Sequence, residues 1–332
     1  MPIPGAFSPY DDSEQCETFR CTNWRNPTQC RAMNQAKLFC QIRAIAAFAM
    51  LFAFAMGTNA QTQSLPAAVT TDPPRDKDFP AAMEAPDIVS HNTRLNAVFY
   101  LASGAGPHPV VLLLHGFPGN EQNMDLAYAI RRAGWNVLVP HYRGSWGSAG
   151  NFSFSNAIED TQAAIAFLRD PANAKKYRTD ATKIAIVGHS MGGFLGLYAT
   201  AHDPAILGMA AISAWNLGPS AARPDSEARA KSFHDASPRL AGTTPEGMLS
   251  EAKQNSAKWN YIDWAGELKS RPIFVVESAD GNVPDNHALF EALQKAGDAR
   301  ATEVHMETDH GYNDHRIALQ TAVLEWLGSL KL

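Results

Sequence analysis

The sequence predicts an α/β chain, with a mostly parallel central sheet covered by helices on both faces. Two observations lead there. Apolar runs of strand length alternate with helix-length segments of 3.6-residue periodicity. Runs such as "VVLLL" (110–114) and "IFVV" (273–276) also lack in–out alternation, as strands buried on both faces do. A third feature bears on what stabilises the fold. All four cysteines, Cys16, Cys21, Cys30 and Cys40, precede the helix–strand pattern, so neither a disulfide framework nor a cysteine metal site can support it. Their spacing fits no zinc knuckle. With 332 residues, 45% hydrophobic and 18% charged, the chain can bury a sizeable core. A net charge of −5 without basic blocks argues against nucleic acid as the main partner.

Residues 1–60 read as an N-terminal extension and signal peptide. The signal core is 33–60, "MNQAKLFCQIRAIAAFAMLFAFAMGTNA". Lys37 and Arg43 form a positive start, Ala44 to Met56 is an uncharged run, and small or short residues precede Gln61. Thirteen helical residues span about 20 Å, short of the ~30 Å hydrocarbon core. Cleavage after Ala60 and export are therefore expected, with no membrane attachment afterwards. A membrane anchor or a buried helix is the alternative. Residues 61–86 carry five prolines among polar residues and read as a linker.

The remaining domain, 87–332, supplies the alternating elements. Strands are expected at Ala97–Ala102, Pro109–Leu114, Asn136–Pro140, Lys183–Val187, Leu207–Ala214, Pro272–Glu277 and Glu303–Glu307. Helices are expected at Asn123–Ala133, Ala157–Arg169, Gly192–Ala201, Asp285–Ala296 and Asp314–Leu327. Between these, 216–270 holds no clear strand and carries Phe233, Trp259, Tyr261 and Trp264. So long a structureless loop is unusual in a compact domain, so a helical cap is expected there.

Ligands of open α/β sheets bind beyond the carboxyl ends of the strands. "KIAIVGHSMGG" (183–193) supplies a strand, a sharp turn and a helix start, with Gly188, Ser190 and Gly192 in a G-x-S-x-G pattern. The pentapeptide alone is weak evidence, and its setting carries the weight. The glycines let backbone approach closely and leave Ser190 projecting. The amide of Met191 lies at a helix N-terminus, where developing negative charge is favoured. A serine hydroxyl needs a base. Of the downstream histidines, His310 in "ETDHGYNDH" occupies the loop after the last strand. His202, His234, His287, His305 and His315 fall in helices, the cap or a strand. Asp280, in the loop after "IFVVES", is the first choice for the carboxylate that orients the imidazole, with Asp285 and Glu277 in reserve. Helix capping accounts for Asp285 as well.

The order serine, acid, histidine, together with the elbow, resembles the α/β-hydrolases from about residue 87 to the C-terminus. "LLLHGFPGN" (112–120) is similar to that family's His-Gly loop, and the resemblance assigns a second oxyanion donor to the amide of Phe117. "HYRGSWGSAG" (141–150) resembles the family's next loop, where Arg143 and Trp146 brace the loop or contact substrate. Trp259 and Trp264 of the cap either line an acyl pocket or pack the cap. His115 and His189, flanking the proposed hole, are read as loop supports.

The implied chemistry is acyl transfer through Ser190, His310 and Asp280, with no metal or organic cofactor. An imidazole base works unprotonated, so activity is expected to fall on the acid side of neutrality. Carboxylic esters are the expected substrates. The loops around Arg143 and His310 also resemble dienelactone hydrolases and the catalytic domains of prolyl oligopeptidases, so an exported peptidase acting on short peptides is the alternative. With only the linker ahead of the hydrolase region, no N-terminal propeller is expected. Epoxide and halide chemistries use an aspartate where Ser190 stands. A non-catalytic binding protein on the same fold is a further reading, disfavoured because all three catalytic positions are filled.

Overall fold

The structure, a computed structural model, describes residues 65–223 and 226–332. The expected signal segment, its expected cleavage position and all four cysteines lie outside the described residues. Elements follow in chain order as α1 (Ala67–Thr70), β1 (Ala82–Glu84), β2 (Ile88–Ser90), β3 (Thr93–Leu95), β4 (Ala97–Leu101) and β5 (His108–Leu114). Next come α2 (Met124–Arg132), β6 (Asn136–Pro140), α3 (Phe154–Arg169), α4 (Pro171–Lys176), β7 (Thr179–His189), α5 (Met191–His202) and β8 (Gly208–Ile212). The segment after β8 holds α6 (Leu217–Ala222), α7 (Ser226–Ala236), α8 (Pro245–Gln254) and α9 (Ala265–Leu268), with two short 3₁₀ turns. The chain ends in β9 (Ile273–Ser278), α10 (Val283–Lys295), β10 (Thr302–Met306) and α11 (Arg316–Ser329).

Eight strands form one sheet in the order β1-β4-β6-β5-β7-β8-β9-β10, and β2 pairs with β3 in a separate hairpin. Within the large sheet the pairs β1–β4 and β4–β6 are antiparallel and the rest are parallel. The unbroken apolar runs explain how this sheet is buried. Val110, Leu112 and Leu114 face one core with Ile184, Ile186 and residues of α3 and α5. Their neighbours Val111 and Leu113 face the opposite core with Ala185, Val187 and residues of α2 and α11. Each fully buried leucine of this kind stabilises the fold by about 1.5–3 kcal/mol. Among the described residues no helix is long and apolar enough to cross a membrane.

Several element boundaries differ from expectation, for physical reasons. The segment 61–86, expected to be linker, contributes α1 and the edge strand β1, whose Ala82 pairs with Leu101. Helix α3 begins at Phe154 rather than Ala157. Ser153 caps it by accepting from the Asn156 amide at 3.0 Å, and the Glu251 carboxylate of α8 accepts from the Phe154 and Ser155 amides at 3.0 and 2.9 Å. Helix α11 begins at Arg316 because Asp314 is turned to the Thr308 hydroxyl and the His315 amide closes a turn on Tyr312. His315 thus stands just before the helix instead of within it.

Candidate active site

The parallel strands end along one edge, and the loops leaving β5, β7, β8, β9 and β10 meet there. The turn between β7 and α5 is sharp. Ser190 adopts φ 56° and ψ −117°, a conformation costly for any residue with a side chain, and caps α5 without a side-chain hydrogen bond. Two glycines make the turn possible. A Cβ on Gly188 would strike the Gly192 carbonyl, and one on Gly192 would strike the carbonyl of Leu114 at the end of β5. Elbow and β5 are therefore in backbone contact. Gly116 lies next to the serine, since a Cβ there would fall 3.0 Å from the Ser190 Cβ. Among the described residues neither the Phe117 nor the Met191 amide has a protein acceptor, so both are available to an incoming oxygen.

Asp280 and His310 are brought together. The Nδ1 of His310 lies 2.5 Å from Oδ2 of Asp280, with the imidazole 42% exposed and the carboxylate 12%. Burial pushes the Asp280 carboxyl up, but hydrogen bonds from His310, the Asn282 amide and the Ser278 hydroxyl outweigh it and leave the group below the usual carboxylate range. Those last two bonds measure 2.7 and 2.9 Å. The elbow is joined to the same loop. His189 donates from Nε2 to the His310 carbonyl at 2.8 Å, and the two rings lie 4.7 Å apart. Burial, assisted by the neighbouring His310, lowers His189 to about 3, so it is a neutral strut at ordinary pH. His115 is likewise lowered to about 3 by burial and by His141, and its Nδ1 donates to the Gly116 carbonyl at 2.8 Å. Both behave as loop supports.

The reserve acids are engaged elsewhere. Asp285 does not cap a helix; both its oxygens receive Arg223 at 2.7 Å. Glu277 faces His305 at 3.4 Å. The other histidines also have separate partners: His202 stacks on Tyr198, His287 meets Glu303, and His315 meets Asp314.

The structure separates the two readings left open for the loop and cap residues. Arg143 donates to Asp160 at 2.7 Å, and it also meets Glu159 and the Asn156 carbonyl. It braces the loop and has no free face for substrate. Trp259 packs on Phe154 and Phe194, and Trp264 on Phe194 and Tyr198, so both join the insertion to the helices beneath. Trp146 differs. It donates Nε1 to the Pro118 carbonyl at 2.7 Å yet keeps 38% of its surface exposed, which suits a rim contact.

Replacing Arg143 by methionine leaves the Asp160 carboxylate buried without its partner. The fold is expected to lose about 3–5 kcal/mol in denaturant titration. KM, measured below the transition, is expected to stay near wild type; a large rise in KM with unchanged stability would reinstate Arg143 as a substrate contact.

Sequence reasoning misses three residues. Trp215, three residues beyond β8, donates its amide to the Ser190 carbonyl at 2.9 Å and sets its ring 5.9 Å from Phe117. With Phe152, Phe154 and Phe233 it makes an aromatic wall around Phe117. Ser278 and Asn282 hold the acid. Ser278 also meets Ser213, which in turn reaches the buried Tyr312 hydroxyl at 2.9 Å. Position at or shortly beyond the carboxyl end of a strand is the signal that could have found Ser278 and Trp215.

Known proteins agree with this architecture. Residues 109–265 match the family model described as alpha/beta hydrolase fold. The chain is 32% identical over 120 residues to the acylamino-acid-releasing enzyme 1 of Oryza sativa subsp. japonica, covering 32% of this chain and 15% of that protein. It is 31% identical over 121 residues to the thermostable monoacylglycerol lipase of Bacillus sp. (strain H-257), covering 35% and 43%. The matches thus span less than half the length of either relative. Among solved structures, the thermostable carboxylesterase EstE1 from a metagenomic library superimposes with a TM-score of 0.58 at 20% identity, over 80% of this chain and 93% of that one.

Proposed function

We propose that this chain, which has the alpha/beta hydrolase fold, is a serine esterase that cleaves carboxylic esters through an acyl-enzyme formed on Ser190. The observation that carries this reading is the 2.5 Å contact of His310 Nδ1 with Asp280, on a loop tied by His189 to the serine elbow. In the first step the Ser190 hydroxyl attacks the ester carbonyl and His310 Nε2 takes its proton. Asp280 fixes the imidazole orientation and stabilises its charged form. The oxyanion accepts from the amides of Phe117 and Met191, each worth about 3–4 kcal/mol in sites of this kind. The imidazolium then protonates the departing alcohol. Water, deprotonated by His310, releases the acid and restores the serine.

The aromatic wall around Phe117 favours an apolar acyl group over a charged one. A peptidase reading has one supporting observation, the likeness to an acylamino-acid-releasing enzyme. Nitrophenyl esters of increasing chain length, assayed beside aminoacyl anilides, separate the two. Ester turnover with kcat/KM at least about 100-fold above the anilides is the expected result. The reverse order would replace the esterase by a peptidase, and no hydrolysis of either class would remove the catalytic reading.

A further inference from the structure

A second cluster of chemically active side chains lies behind the acid loop and takes no part in the proposed hydrolysis. In the parallel register Glu303 pairs with Val275 and His305 with Glu277, so all four side chains belong to one face of the sheet. Helix α10 packs on that face through Leu289 and Leu293, beside Val275 in the same core. His287 of α10 brings Nδ1 to 3.1 Å from Glu303. One ligand atom each from Glu277, His287 and Glu303 lies within 4.8 Å of the other two.

Two features set this group apart from an ordinary solvated acidic patch. Glu277 is only 4% exposed, and its Oε1 has no hydrogen-bond partner. An anionic oxygen in that position is costly unless something satisfies it. In addition, the surrounding carboxylates Glu277, Glu291, Glu303 and Glu307 pair only with His287 and His305; no lysine or arginine balances them among the described residues. The local charge is negative and lacks a cation.

We propose that Glu277, His287 and Glu303 bind a divalent first-row metal ion of the Zn²⁺ type. One imidazole nitrogen with two carboxylate oxygens is a donor set such ions accept, and water completes the four-coordinate shell. Ligand atoms around a tetrahedral ion lie roughly 3.4 Å apart; His287 and Glu303 already stand within that spacing at 3.1 Å, so the closing movement falls between Glu277 and that pair. His287, half exposed, has the freedom to make it. His305, against Glu277, orients that carboxylate from behind. The ion joins β9, β10 and α10, the elements that lead into the Asp280 and His310 loops. Its role is therefore structural, and it is independent of the hydrolytic reading.

The test uses the full chain, stripped with EDTA and with its cysteines alkylated. Zn²⁺ is titrated in by calorimetry, and thermal melts are recorded with and without it. Wild type is expected to bind one equivalent saturably and to melt several degrees higher in its presence. His287→Ala and Glu303→Gln should each weaken that binding at least tenfold and abolish the melting shift, with the metal-free near-ultraviolet spectrum unchanged. Absence of saturable binding to wild type would overturn the proposal. So would equal affinity and stoichiometry in both variants, or binding that leaves the melting temperature where it was.

Discussion

Ser190→Ala is expected to lower kcat on a nitrophenyl ester by about a million-fold, leaving only the slow residual rate that binding and oxyanion donors support. The melting temperature should barely move. Alanine occupies the same φ 56° conformation at the same cost, and the serine side chain makes no capping hydrogen bond that would be lost. A fluorophosphonate probe should label wild type and leave the variant untouched. Turnover near wild type in the variant, or labelling that survives it, would remove Ser190 as the nucleophile and with it the acyl-enzyme.

Asp280→Asn is the second large effect, a fall in kcat of about 10⁴-fold. An amide in this position offers an N–H to His310 Nδ1 where a carboxylate accepts one, so the imidazole is held in the wrong tautomer. The Asn282 amide keeps its oxygen, while the Ser278 hydroxyl, which shares Oδ2 with His310, turns to accept from the new amide N–H, and the loop keeps its shape. The substitution also has a pH signature in stability. A carboxyl held below its ordinary range stabilises the fold at neutral pH, and this contribution disappears as pH falls through its lowered native value. Denaturant midpoints followed from pH 7 downwards should therefore fall less steeply in Asp280→Asn than in wild type. Asp285→Asn is the control: it loosens Arg223 and costs stability, with kcat preserved. If the control loses activity and Asp280→Asn retains it, the acid has been misassigned.

Much of the fold is legible in the sequence because strands buried on both faces have no freedom to hide their composition. "VVLLL" and "IFVV" are central strands of the sheet, and the two cores take alternate residues of the first run. The loop positions of Asp280 and His310 are also legible, since a residue just beyond a parallel strand must arrive at the carboxyl edge. What the sequence conceals are partnerships between distant segments. Glu251 reaches back to cap a helix that starts near residue 154, and Asp160 takes the guanidinium that might have met substrate. Nothing in local composition reports such pairs. Edge strand β1 is hidden for a different reason: three residues amid prolines carry no periodic signal.

The close packing of Gly192 on Leu114, and of Gly116 on Ser190, has a mechanical corollary. The Ser190 hydroxyl and the loop after β5 are locked into one rigid block, so neither can be shifted to admit a bulkier substrate without displacing the other. Tolerance for new acyl or alcohol groups must then be sought in the helices between Asn216 and Ser270. Directed evolution of selectivity has most room there, and least within the glycine-lined hinge below.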